Sequence, residues 1–196
     1  NSSDKVLCLS DASVRELTRL GVKQEKLGRF RYWIQLENFP VLDKQKAKQV
    51  KGGEGKFVVL FVGRMLKKKG IELIHEVAKH FVSDFSMEFW FVGVGPDEDI
   101  IKNSLLPNER FWGKIDNKEL YWFYAAADVF CIPSLYEEGF GRVILEALAC
   151  GTPVIGSKRG GIPEVVTSEV GMVFEPTEEN LIAALKKLKN ENSFYK

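Results

Sequence analysis

The chain has 196 residues, 45% hydrophobic and 28% charged, enough for one well-buried core with a fragment of a second domain attached. A formal net charge of +1 creates no global field toward nucleic acid or an anionic membrane. The longest apolar runs, such as Phe57–Val62 and 89–94, are strand-length and too short to span a bilayer.

In chain order, residues 6–9 read as a strand, and Ser10 or Asp11 can cap a helix that ends near Leu20-Gly21. The stretch 36–55 is polar and Lys-rich, with Pro40 and the pair Gly52-Gly53, and reads as linker or loop. From residue 56 onward, short runs rich in Val, Ile and Phe alternate with helical patterns. The runs are Phe57–Val62, Met87–Val92, 110–112, Val129–Ile132, 154–155 and 172–174. They show little in/out alternation, as expected of strands buried on both faces of a parallel sheet. Ile71, Ile74, Val77 and Phe81 make one apolar helical stripe. Asp116 with Glu119 predicts a capping box opening a helix through Ala126. Leu181, Leu185 and Leu188 form the inner face of a last helix, with Lys186, Lys187 and Lys189 outside. This alternation implies an α/β class, with a doubly wound, Rossmann-like parallel sheet sandwiched by helices. No signal peptide is visible, and the start at Asn1 suggests a piece of a longer protein. Cys8, Cys131 and Cys150 form no CxxC pair and sit among apolar residues, so they read as buried reduced thiols of a cytoplasmic protein.

After the strand Val129–Ile132 comes Pro133-Ser134-Leu135-Tyr136-Glu137-Glu138-Gly139-Phe140-Gly141, followed by an amphipathic run from Arg142. Glycines between the carboxyl end of a strand and the amino end of a helix offer free backbone N–H groups and a partial positive charge to a phosphate. Glu138 precedes this turn and Glu146 lies eight residues later on the helix. A carboxylate beyond a phosphate-binding turn suits ribose hydroxyls, and one at the turn suits hydroxyls of whatever hangs from the phosphate. Both could instead be solvated surface charge, but the helix around Glu146 is otherwise apolar, which makes an unpaired carboxylate there costly. Gly63-Arg64 ends the first strand of this region, and Lys69 opens the next helix; an Arg fork and a Lys point charge together neutralise a pyrophosphate. Lys67 and Lys68 read as a solvated turn. Gly93-Val94-Gly95-Pro96 and Trp112-Gly113-Lys114-Ile115 follow two further strands and could add a lip and a flat wall to one cleft.

Other constellations carry less. Asp97-Glu98-Asp99 has DxD spacing but follows a Gly-Pro turn where acids favour a helix start, so no metal is expected there. His75 and His80 are five apart and do not share a helical face for zinc. The aromatics Tyr121 to Tyr124 read as packing, not as a stacking platform for nucleic acid.

Taken together, Gly63-Arg64, Lys69-Gly70, Gly93-Val94-Gly95-Pro96, the segment from Pro133 through Glu138-Gly139-Phe140-Gly141 to Glu146 and Ile155, Gly160-Gly161-Ile162-Pro163-Glu164, and Gly171-Met172-Val173-Phe174 resemble the group 1 family of retaining glycosyltransferases. The resemblance covers about residues 56–188 and implies the C-terminal half of a GT-B fold. It implies that Arg64 and Lys69 bind the donor pyrophosphate and stabilise the leaving nucleoside diphosphate. Backbone N–H groups at Phe140, Gly141 and Arg142 would hold the distal phosphate. Glu138 would bind sugar hydroxyls, Glu146 the ribose, and Ile115 the base, with Gly63, Gly95 and Gly139 shaping the turns. No cofactor or metal is expected, since Arg, Lys and a helix terminus replace it. The partner would be a UDP-, GDP- or ADP-linked sugar. A sugar, polysaccharide or lipid-linked acceptor would be bound by a missing N-terminal domain, in a cytoplasmic protein able to work at the inner face of a membrane. Residues 1–40 would then be the end of that domain and the interdomain crossover, 41–55 a linker or loop, and 56–196 the donor domain, inactive by itself. A GT-B sugar-nucleotide epimerase or phosphorylase, or a non-catalytic nucleotide-binding module, would be the alternatives. A dinucleotide oxidoreductase lacks its GxGxxG turn here.

Overall fold

The computed structural model describes residues 3–190. The elements run β1 (Val6–Cys8), α1 (Asp11–Arg19), β2 (Leu27–Arg29), α2 (Lys44–Lys51), β3 (Phe57–Val62), α3 (Ile71–His80), β4 (Met87–Val92), α4 (Asp99–Lys102), β5 (Glu109–Gly113), α5 (Leu120–Ala126), β6 (Val129–Ile132), α6 (Arg142–Ala149), β7 (Val154–Ser157), α7 (Ile162–Val165), β8 (Gly171–Phe174) and α8 (Glu178–Asn190). Residues 191–196, counted with the expected donor domain, lie outside the described residues.

Six strands form one sheet in the order β5-β4-β3-β6-β7-β8, and every pairing in it is parallel. The expected doubly wound sheet is therefore present. Period-two alternation sends Leu60, Trp90 and Phe130 into a core with α5 and α6. Val59, Phe61, Phe89 and Phe91 enter the opposite core, against α3 and α8. Both faces are covered, which explains why the strands read as continuous apolar runs. Chain order along the sheet reverses between β3 and β6, and the carboxyl ends of strands at such a switch point open a crevice.

The amino-terminal part forms a separate two-stranded parallel sheet of β1 and β2, the latter unforeseen from sequence. Ser10 caps α1, its Oγ accepting from the Ser13 N–H at 3.1 Å. The three cysteines are buried free thiols.

Two local expectations are corrected. The stretch 41–55, expected as linker or loop, contains α2, capped by Asp43, whose side chain accepts from the Lys46 N–H at 2.8 Å. Its polar sequence hides the reason. Ala47 is fully buried, and the Lys48 ammonium reaches inside to Asp128 Oδ2 at 2.6 Å and to the Lys56 carbonyl at 2.5 Å. Asp128 Oδ2 also accepts from the Val58 N–H, so the helix is bolted to the sheet by a buried ion pair that hydropathy cannot reveal. The capping box at Asp116 and Glu119 does not form: Asp116 Oδ1 accepts from the Lys118 N–H at 3.0 Å, a turn, and α5 starts only at Leu120.

Candidate active site at the carboxyl edge of the sheet

Four turns at the carboxyl ends of β4, β3, β6 and β7 are stitched side by side, in the order of their strands. Met65 N–H donates to the Val94 carbonyl at 3.0 Å, joining the turns after β3 and β4. Leu135 N–H donates to the Lys68 carbonyl at 2.8 Å across the switch point. Gly161 N–H donates to the Glu138 carbonyl at 2.7 Å, and Ser157 Oγ–H to the Ser134 carbonyl at 2.8 Å, tying in the turn after β7. Two glycines permit this approach. At Gly93 φ is +128°, and a Cβ would lie 1.9 Å from the Gly63 carbonyl oxygen. At Gly70 φ is +80°, and a Cβ would lie 2.1 Å from the Pro133 carbonyl oxygen. Any larger residue would push apart the turns carrying Arg64, Lys69 and Glu138.

Lys69 and Glu138 flank the switch point and meet across it. The Lys69 ammonium donates to Glu138 Oε1 at 2.5 Å, Ser134 Oγ–H donates to the same oxygen at 2.7 Å, and Tyr136 O–H donates to Oε2 at 2.8 Å. The Glu138 residue is only 6% exposed. A carboxylate offers about four lone-pair directions, so three are filled and one remains for a ligand hydroxyl. Burial alone disfavours the Lys69 ammonium, but its bonds to Glu138 and Tyr136 outweigh that cost and hold its pKa above the ordinary lysine value. The Tyr136 ring also lies under the two neighbouring ammonium groups, 4.9 Å from Lys68 and 5.1 Å from Lys69.

Glu146 sits one turn into α6 and is 4% exposed. Its Oε1 accepts from Arg142 Nε at 2.7 Å and its Oε2 from the Tyr124 O–H at 2.9 Å, which leaves about two lone-pair directions open, the number a vicinal diol needs. The Arg142 pKa is raised by this hydrogen bond and charge. Burial, and then Glu146, pushes the Tyr124 phenol well above its ordinary value.

Gly141 is the N-cap of α6, in the left-handed region, and no helical carbonyl precedes the N–H groups of the first turn. The turn 139–141 packs under the amino-terminal segment, where the Tyr32 and Phe140 rings lie 5.7 Å apart. Arg64 is exposed on the same edge, with no ion pair among the described residues, so its guanidinium is open to an anion. The Gly95 N–H is held by Glu98 Oε2 at 3.0 Å, and the turn 93–95 lies against the Met65 backbone. Ile115 is half-buried, packed against the core on the α5 and α6 side of the sheet. Trp112 is a core wall: its ring is edge-on to Phe123 at 5.0 Å and to Trp90 at 5.5 Å. Asp97, the first acid of the DxD spacing, spends its carboxylate on the Lys67 N–H at 2.8 Å.

Sequence reasoning named the charged pair but missed Ser134, Tyr136 and Tyr124. The first two lie within four residues of Glu138, so local spacing could have marked them. Tyr124, on another helix, carries no such signal. Far from the edge, His75 Nδ1 is buried 2.9 Å from Glu109 Oε1 and has a structural partner. Among the described residues no helix is long and apolar enough to cross a membrane.

Residues 43–196 match the family model described as glycosyl transferases group 1. The sulfoquinovosyl transferase SQD2 of Arabidopsis thaliana is 33% identical over 143 residues, covering 70% of this chain and 27% of its own. The C-terminal domain of the group 1 family protein LpcC of Francisella tularensis superposes with a TM-score of 0.71 at 26% identity, over 83% of this chain and 90% of that one. Anabaena Alr3699/HepE, solved with UDP and glucose, superposes with a TM-score of 0.86 at 23% identity, over 98% of this chain and 55% of that one. The chain spans about a third of the length of the curated relatives it matches, between 27% and 36% for three of them.

Proposed function

The chain belongs to the glycosyl transferases group 1 family, and from that premise we propose that it is the donor-binding half of a retaining, metal-independent glycosyltransferase. The observation that carries the reading is the Lys69–Glu138 contact across the switch point, directly beside the glycine turn that opens α6. It sets a cation for a phosphate and a carboxylate for a sugar hydroxyl within one hydrogen bond of each other. A nucleoside diphosphate sugar presents those two groups side by side at its glycosidic phosphate.

In this reading the first-turn N–H groups of α6 hold the distal phosphate, and Arg64 with Lys69 neutralises the charge that develops as the C1–O bond to that phosphate breaks. The acceptor oxygen bonds to C1 on the same face, and its proton passes to the departing phosphate oxygen. Glu138 positions the sugar with its one open lone-pair direction, and Glu146 takes the ribose diol. Fixed cations and helix-terminal N–H groups stand where a divalent ion would otherwise screen the pyrophosphate. The UDP and glucose held by the Anabaena neighbour are ligands of this type. The acceptor, whether sugar, polysaccharide or lipid-linked, would be bound outside this chain, so the chain by itself binds donor without rapid transfer. The working site would be cytoplasmic, at the inner membrane face for a lipid-linked acceptor.

The test is calorimetry of the 196-residue chain with UDP-, GDP- and ADP-sugars, with and without chelator. One nucleotide sugar is expected to bind regardless of chelator and to lose affinity in Arg64→Ala. Binding that requires a divalent ion, or that is indifferent to Arg64, would overturn the reading.

A further inference from the structure

A cleft of about 390 Å³ opens between α1 and the turns after β6 and β7, and Glu138 stands in its wall. It is roughly large enough for one sugar with a small substituent. Arg15 and Arg19 line it from α1, Lys158 from the end of β7, and Glu16, Glu137 and Gly160 complete the lining used here. Arg15 and Arg19 are four residues apart and so share a helical face.

The charges around this cleft are satisfied unequally. Glu138 is held by Lys69, Ser134 and Tyr136, and Glu137 Oε2 accepts from the Gly160 N–H at 2.5 Å. The cations are held loosely. Arg15, with its side chain 63% exposed, reaches Glu164 only at 3.9 Å, and that carboxylate is already committed to the Asp11 and Ala12 N–H groups at 2.8 Å each. Lys158 lies 3.8 Å from Glu175, which the Arg159 guanidinium approaches more closely, at 3.1 Å. Arg19 is exposed and has no ion pair among the described residues; of the lining carboxylates Glu16 and Glu137 are in the same state, Glu137 accepting from a backbone N–H. The lining balances three cations against three carboxylates, but Glu137 and Glu138 already accept hydrogen bonds whereas the guanidinium forks of Arg15 and Arg19 are open.

We propose that this cleft is an oxyanion subsite, in which Arg15, Arg19 and Lys158 take a carboxylate or phosphate group carried by a sugar seated beside Glu138. The inference rests on the donor reading above and names the substrate class of that same site: one of the two sugars brought together here is anionic. Arginine forks match such groups bidentately, and the tight placement of α1 against Glu164 and Gly161 keeps them at a fixed reach.

The experiment follows backbone amide shifts of Ala12, Ser13 and Gly160 in the 196-residue chain. In one arm the chain is saturated with its preferred nucleoside diphosphate and titrated with glucose or glucose 6-phosphate, which places the anion on the acceptor. In the other, UDP-glucuronate is compared with UDP-glucose, which places it on the donor sugar. In one of the two arms the anionic sugar is expected to bind about tenfold or more tightly than its neutral counterpart. That preference should vanish in the double variant Arg15→Ala/Arg19→Ala and weaken in Lys158→Gln, while nucleoside diphosphate affinity stays within about twofold. Both arginines are exposed, so the variants keep the fold. Equal binding of anionic and neutral sugars in both arms, or a preference that survives these substitutions, overturns the proposal. Failure of every nucleoside diphosphate to bind instead defeats the donor reading, and the glucose 6-phosphate arm on the nucleotide-free chain still reports on the cleft.

Discussion

The Lys69 ammonium and the Glu138 carboxylate, 69 residues apart in sequence, meet at 2.5 Å across the point where the sheet reverses its strand order. In the proposed donor site this pair would join the cation for the phosphate and the carboxylate for the sugar in one unit, so their substitutions separate the two functions. Glu138→Gln keeps a neutral acceptor for Ser134 and Lys69 but removes the negative charge that offsets the Lys69 ammonium. Nucleoside diphosphate binding should therefore be kept or strengthened, while the additional affinity for the nucleotide sugar falls about tenfold. Calorimetry with the two ligands checks this. Equal loss for both would place Glu138 in the phosphate site.

Arg64 is exposed and unpaired among the described residues, so Arg64→Ala should leave the melting temperature nearly unchanged, within about 0.5 kcal/mol of stability. Nucleoside diphosphate affinity should fall by about 10- to 100-fold, the range for losing a charge-assisted bond. The remaining affinity should also depend less steeply on salt. A variant that melts early would show a structural role instead.

At Glu146 the outcome is reversed, because the group is buried and doubly bonded. Glu146→Ala orphans the Tyr124 hydroxyl and should cost about 1–3 kcal/mol, whereas Tyr124→Phe, which removes only one donor, should cost about 1 kcal/mol. Denaturant melts measure both. Affinity for the nucleoside diphosphate should fall in Glu146→Ala, while affinity for inorganic pyrophosphate, which has no ribose, should not.

Alkaline pH should unfold the protein through the same neighbourhood. Burial and then Glu146 push the Cys150 thiol up to about 12 from an ordinary 9.0, and the same causes raise Tyr124 well above 10.0. Lys69 is also raised from 10.5, where its partners outweigh burial. Each group keeps its proton to a higher pH in the fold than in the unfolded chain. Their contributions are thus fully present below pH 9.0 and are lost as pH rises above it, when the unfolded state gives up its protons first. Melting temperatures should fall steadily above that point, and Tyr124→Phe should flatten the fall. Stability that rises with pH would contradict the assignment.

The sheet strands, α3 and α8 were legible because their apolar residues recur with the periods of strand and helix, and burial enforces those periods wherever the chain lies. The glycine turn before α6 was legible for a related reason, since a tight turn from a strand into a helix needs glycine where φ is positive, as at Gly141. By itself, then, the sequence determined the fold class and named Arg64, Lys69, Glu138 and Glu146 as the ionisable groups of a candidate site. Tertiary structure alone decided how these groups are spent. Lys69 is engaged by Glu138, Tyr124 rises from another helix to hold Glu146, and Arg15 and Arg19 are brought to the same cleft as Glu138. It also decided that 44–51 is helix, through a Lys48–Asp128 bond spanning 80 residues. The physical reason is common to all of these: a hydrogen bond or ion pair depends on a distance of about 3 Å, and separation along the chain sets no such distance until the packing of the sheet and its helices has closed it.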